Sequence, residues 1–177
     1  MATLPPNTPQ DVQEFYAYWL SLPKVDILPD LGDYFDHVPP HLQPFVGIVD
    51  VTSPSESRVR LYSAGLAEVS GEDPTGEPVI KLFTDELQAI VAPILREAAG
   101  RPVGYLCIRD TRAHSGLTVQ SPSICLPMRS KSQAARIIIS YSHMPKPDVT
   151  MTPADQPRLV SGWRLVQWID VGAGVPV

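Results

Sequence analysis

Apolar and polar positions repeat along this chain with two different periods, and the switches between them mark out its elements. Phe15, Tyr18, Trp19 and Leu22 fall at i, i+3, i+4 and i+7, the stripe of an amphipathic helix. Thr8 as N-cap, Pro9 at the first position and acidic Asp11 and Glu14 suit its start, and Pro23 suits its end. Four such side chains are too apolar for a solvated helix. The stripe therefore either packs on the chain's own sheet or forms a dimer or partner-docking face. Residues 24–44 read as irregular and proline-broken, with Leu28, Leu31, Tyr34 and Phe35 able to pin them down. Residues 45–51 are apolar on both faces, which predicts a covered strand. Turn-forming residues 52–56 then lead to the alternating run Arg58-Val59-Arg60-Leu61-Tyr62-Ser63, so the two strands make an antiparallel hairpin.

Beyond the hairpin, residues 64–70 are apolar at helical spacing for about two turns. A turn, Gly71-Glu72-Asp73-Pro74-Thr75-Gly76, separates them from a second short apolar piece ending Ile80-Lys81-Leu82-Phe83. The clearest helix spans residues 85–99. Thr84 can cap it, Leu87, Ile90, Val91, Ile94, Leu95 and Ala98 form its buried stripe, and Gly100 stops it. Pro93 should kink it. Three strands follow. Residues 103–109 alternate Val103, Tyr105 and Cys107 against Gly104, Leu106 and Ile108. Residues 117–128 are broken by Pro122 and Pro127, which predicts an edge strand or a bulge. Residues 135–142 carry Ile137, Ile138 and Ile139 in a row, with Tyr141 behind them. Strands grouped around a helical crossover, without βαβ alternation, predict an α+β fold: an antiparallel sheet with helices packed on one face.

Length and composition fit that picture. At 177 residues, 44% apolar and 19% charged, the chain is one domain with extensions rather than a disordered polymer. Its 20 prolines crowd the ends, which divides it into a disordered arm (1–9), an N-terminal helix and proline-rich lead-in (10–44), a core (45–142) and a proline-rich linker with an apolar tail (143–177). A net charge of −5 argues against nucleic acid as partner. The one basic cluster, Arg129, Lys131 and Arg136, reads as a solvated hairpin tip. There is no apolar run long enough to span a membrane, and Met1-Ala2-Thr3-Leu4-Pro5-Pro6 is not a signal peptide. Two cysteines without a framework suit a reducing, cytoplasmic setting.

The stretch from Gly65 to Phe83 resembles the strand-to-helix crossover of a PAS domain, in which a turn bounded by two glycines leads into a short helix with an apolar end. The wider layout is similar to a bacterial group of small PAS proteins. The matching features are the helix Tyr16-Ala17-Tyr18-Trp19-Leu20, the strand exit Ser63-Ala64-Gly65 and the tail Trp168-Ile169-Asp170-Val171-Gly172-Ala173-Gly174-Val175-Pro176. Where that group commonly carries an arginine before the strand exit and a threonine after it, this chain has Tyr62 and Leu66. The resemblance implies a PAS-like five-stranded sheet, in spatial order 2-1-5-4-3, and a sensor or interaction module rather than an enzyme. It also sets expectations for cofactors. Haem-binding relatives commonly use a histidine on the long helix, and residues 84–99 have none. The asparagine-cysteine-arginine motif of flavin-adduct relatives is missing too, so no cofactor is expected.

Residues able to carry chemistry are few. His37 and His41 flank Val38-Pro39-Pro40 and cannot reach helical ligand spacing. His114 sits in a turn and His143 at a strand end, with no orienting carboxylate evident in sequence. Cys107 and Cys125 read as small core side chains. A ligand pocket between the sheet and the helices would be lined by Tyr62, Leu82, Ile90, Tyr105, Cys107 and Tyr141; otherwise these side chains simply fill the core. Two roles follow. One is a signalling module that senses a small-molecule ligand. The other is a ligand-free adaptor or homodimerisation module that docks a partner signalling protein through Phe15, Tyr18, Trp19 and Leu22.

Overall fold

The computed structural model describes residues 3–113, 118–130, 136–144 and 157–177. Along the chain, helix α1 (Gln10–Ser21), a small ribbon of β1 (Lys24–Val25) and β2 (Leu28–Pro29), helix α2 (Leu31–His37) and a 3-10 turn (Pro40–Phe45) lead into β3 (Val46–Val51) and β4 (Arg58–Tyr62). Helix α3 (Ala64–Ser70), a 3-10 turn (Val79–Leu82) and helix α4 (Asp85–Gly100) form the crossover. Strands β5 (Val103–Ala113), β6 (Thr118–Met128), β7 (Arg136–Ser142) and β8 (Pro157–Asp170) complete the order. The large sheet is antiparallel, with six strands in the order β4-β3-β7-β6-β5-β8.

The first five of these strands stand in the expected order, and β8 is the addition. The segment expected as linker and apolar tail instead pairs with β5 from Val103–Asp170 to Ala113–Pro157. Its alternation is hard to read because the register shifts between Leu106 and Cys107, where Val166 is the extra residue. That bulge puts Leu165 and Trp168 beside Cys107 and Tyr105, on one face, despite their odd spacing.

Both faces of the sheet are covered, rather than the one face expected from the sequence. On β7, Ile137 and Ile139 point to one side and Ile138 to the other, and all three are buried. On the first side they meet α1 and α2, in a core that includes Phe15, Trp19, Tyr34, Leu126 and Tyr141. The second side carries α3, the 3-10 turn and α4, through Val79, Phe83, Leu87, Val91 and Leu95. The helical stripe at the N-terminus is therefore core rather than a dimer or docking face. Phe15 is 0%, Trp19 2% and Leu22 7% exposed, and Tyr18 is half-buried with its hydroxyl donating to the Tyr34 carbonyl at 2.8 Å. Val12 and Tyr16 widen the stripe, so the helix buries more than its i, i+3, i+4 positions suggested.

Several local expectations need correction. The proposed arm 1–9 is tied down within its described part, since Leu4 packs on the core and Thr8 is buried. Thr8 does not cap α1, whose N-cap is Pro9; instead its carbonyl accepts from the Gln13 side-chain amide. Residues 24–44 are regular, and Asp30 caps α2 by accepting from the Gly32 N–H at 2.9 Å. Strand β6 is internal despite two prolines, because each stands where one neighbour is not paired with it. Pro122 precedes the first β7 pair, Ser123–Ser142, and its carbonyl accepts from the His143 N–H at 2.8 Å. Pro127 lies past the last β5 pair, Tyr105–Cys125, and its carbonyl accepts from the Trp19 indole at 3.2 Å. Pro93 does not interrupt α4, and it sits on the exposed side of the helix. Arg129 and Arg136 do not converge, since Arg136 donates to the Ala99 carbonyl near the end of α4; Lys131 lies outside the described residues. The crossover turn is built as its glycines indicated. Gly71 and Gly76 have φ of 77° and 90°, the region that side chains disfavour. No helix of the described residues is long and apolar enough to cross a membrane.

Phe15 tests the covering of the first face. Its ring lies 5.1 Å from that of Tyr141 and 6.1 Å from that of Tyr34. Phe15→Ala should cost about 3–5 kcal/mol in urea denaturation, with the native mass in solution unchanged. A cost below about 1 kcal/mol would mean that α1 is not part of the core.

Candidate functional site

The second face differs chemically from the first, and the difference comes from period-2 geometry. On β5, Tyr105, Cys107 and Arg109 share this face, while Leu106 points to the aromatic core. Their partners on β6 are Cys125, Ser123 and Ser121. Pairing with β7 then brings in Ser140 opposite Cys125 and Ser142 opposite Ser123. At the far side Tyr62 stands opposite Gly47. A β-carbon at Gly47 would come within 2.9 Å of Ser140 Oγ, so the absence of a side chain there is a packing requirement. The floor is thus a patch of serines, thiols, phenols and one guanidinium inside an otherwise apolar sheet.

Helices α3 and α4 and the 3-10 turn roof this floor without filling the space. An inner cavity of about 60 Å³ is lined by Tyr62, Leu82, Val91, Tyr105, Cys107, Cys125 and Trp163 among others. An outer cavity of about 50 Å³ opens past Ser70, Glu72, Ser121, Ser142 and Met144. Tyr62, Leu66, Leu82, Phe83 and Arg109 line both, so Arg109 stands at the junction. Together they have room for a few waters or a ligand of a few heavy atoms. That is well below the roughly 300 Å³ at which ordinary drug-sized pockets begin.

Arg109 is partly buried, and one of its N–H groups donates to Ser142 Oγ at 3.1 Å. Ser142 in turn shares a 3.0 Å hydrogen bond with Ser123. Among the described residues no carboxylate forms an ion pair with Arg109. Burial pulls its proton affinity down, but the neighbouring Cys107, Cys125, Tyr105 and Tyr62 outweigh that and leave it raised. The two thiols are free, buried and hydrogen-bonded to each other. Cys107, as donor of that bond and deeply buried, is pushed well up. Cys125 is drawn down to about 7, first by the bond from Cys107 and, against burial, by the charge of Arg109 and a bond from Tyr105. Tyr62 is held above its usual range by burial, with a bond to Ser70 and the charge of Arg109 opposing and Glu72 and Asp73 adding to the rise.

Of the six pocket residues expected from sequence, Tyr62, Leu82, Tyr105 and Cys107 line the inner cavity. Ile90 does not. It is 52% exposed, because the buried stripe of α4 runs through Leu87, Val91, Leu95 and Ala98 and leaves Ile90 off its edge. Tyr141 does not either, because β7 parity turns it to the other face, against Phe15. Arg109, Ser121, Ser123, Ser140 and Ser142 were the omissions. Their signal was the continuation of the Tyr105-Cys107 alternation to Arg109 and the even spacing of the serines, which in a strand reads equally as a solvent face.

The remaining candidates lie apart from this site. His143 does have a carboxylate partner: Asp11 of α1 lies 2.9 Å from its Nδ1 and accepts from the Tyr141 hydroxyl at 3.0 Å. This cluster ties the first turn of α1 to the end of β7. His41 pairs with Glu14 at 3.0 Å on the surface. His114 falls outside the described residues. No group of three or more metal-binding side chains occurs among the described residues.

A family model described as PAS domain matches residues 8–141. Among solved structures, the chain is similar to a fungal LOV domain photoreceptor, at 14% identity and a TM-score of 0.45, covering 79% of this chain and 95% of that one. No curated protein matches it.

The coupling of Cys125 to Arg109 is measurable. Labelling of Cys125 by a small methanethiosulfonate should fall as pH drops through about 7. In Arg109→Met that midpoint should move up, because the cation favouring the thiolate is gone. An unchanged midpoint would mean that the guanidinium does not face the thiol. Peptide mapping distinguishes Cys125 from Cys107.

Proposed function

From the premise that this chain belongs to the PAS domain family, a family of signalling sensors, we propose that it holds a small ligand in the cavity under α3 and α4 and passes the occupied state to a partner protein. The observation that carries the reading is the polar floor around Arg109 beneath an apolar roof. A side chain meant only to fill a core would not place a cation and four serines there. Occupancy would be sensed by α3 and the 3-10 turn. They supply Leu66 and Leu82 to the cavity and are joined by a turn that depends on two positive-φ glycines. A ligand that prefers one packing of these short elements shifts their population, which changes the surface offered to the partner. The chain then acts by contact and not by catalysis. Its two free thiols suit a reducing, cytoplasmic compartment.

The smallness of the cavity favours a second reading, a ligand-free adaptor of the same fold. Native mass spectrometry of the purified protein separates the two. The sensor reading expects a bound mass, up to one per chain, that is lost on denaturation, or a melting temperature raised by a fraction of cell extract below about 1 kDa. Neither effect at any extract concentration would overturn it in favour of the adaptor.

A further inference from the structure

We infer that the ligand of this cavity is a short-chain organic carboxylate, anchored by Arg109 through its guanidinium and seated with its aliphatic end under α4; this rests on the sensor reading above. Three observations point to it. The first is charge. Arg109 is a cation drawn into a low-dielectric floor, and among the described residues no carboxylate pairs with it. A partly buried cation without a carboxylate partner is costly to hold, so an anion entering this space gains more than it would in water. Glu72, the acidic residue of the outer cavity, is not within ion-pair distance.

The second observation is geometry. Guanidinium offers five N–H donors in a planar fork that matches a carboxylate bidentately, and Ser142 takes one of them at 3.1 Å. The Tyr62 hydroxyl lines the same junction and can donate to a second carboxylate lone pair, and Ser121 lines the outer cavity beside it, its hydroxyl donating to Met144 Sδ at 3.2 Å. The third is shape. From the junction the inner cavity runs between Leu82, Val91, Leu95 and Trp163, with no charged group among the lining residues except Arg109 and, above about pH 7, the Cys125 thiolate at its floor. At about 60 Å³ it suits an aliphatic end of a few carbons. A larger or multiply charged anion would have to leave charge in that apolar end.

The built-in competitor is Cys125, whose thiolate is an internal anion favoured by the charge of Arg109. A bound carboxylate would repel that thiolate. The groups acting on it are Cys107, Arg109 and Tyr105 from β5, and Tyr62 from β4 lines the same cavity. Of these only Arg109 carries positive charge.

The test uses butyrate, the neutral isostere butyramide and inorganic phosphate, read by melting temperature and by tryptophan fluorescence, to which Trp163 in the cavity wall contributes beside Trp19 and Trp168. Butyrate should bind with a Kd at least about 10-fold below that of butyramide or phosphate, the ratio expected for one charge-assisted hydrogen-bonded contact. It should also raise the pH midpoint of Cys125 labelling. Arg109→Met should lose the butyrate preference while butyramide binding stays; Ser142→Ala, a milder change, should weaken butyrate several-fold and keeps the test open if Arg109→Met fails to fold. Equal binding of butyrate and butyramide, or an unmoved Cys125 midpoint at saturating butyrate, would overturn the inference. So would a tightly held neutral molecule in the native mass spectrum, which would leave the sensor reading intact.

Discussion

Everything in this molecule depends on covering a sheet that has no solvent-facing side at its centre. Antiparallel sheets usually leave one face wet, but here Ile137, Ile138 and Ile139 are successive residues of a central strand and none of them is exposed. Two separate layers of helix must therefore be supplied, and they come from different parts of the chain. Helix α1, from the N-terminus, covers one face, and the α3–α4 crossover covers the other. The first contact is aromatic, with Phe15 stacked on Tyr141 and the Trp19 indole satisfied by the Pro127 carbonyl. The second is incomplete and polar at its floor. A fold held firmly from one side can leave the other side loose enough to respond to what enters it.

Much of this was legible in the sequence, because the signals were local. The stripe of α1, the doubly apolar β3 and β7, the two-glycine turn and the long helix each follow from spacing alone, and together with the crossover motif they led to the right fold class. What was misread depended on partners distant in sequence. The N-terminal stripe could equally have been a docking face until the sheet was seen beneath it. The prolines of β6 spoke for an edge strand, yet each coincides with the end of a neighbour's pairing, which only the register reveals. Strand β8 was hidden by the bulge at Val166, which breaks the alternation that would have disclosed it.

The site was half legible for a related reason. Apolar and aromatic residues at alternate positions announce a buried face, so Tyr105 and Cys107 were found. Arg109 and the serines lie on the same face but carry the residue types of an exposed one. Parity along a strand fixes which residues share a face; it does not say which face is covered. That information came from α4, and the same helix removed Ile90 from the site by turning it to solvent.

Amide hydrogen exchange tests the division between the two faces most directly. Helix α1 buries Val12, Phe15, Tyr16 and Trp19, whereas α3 buries only Leu66. Helix α1 and β7 should exchange only near the global unfolding free energy, while α3 and the following 3-10 turn should open locally, about 100-fold or more faster. Protection of α3 equal to that of α1 in the free protein would contradict that division.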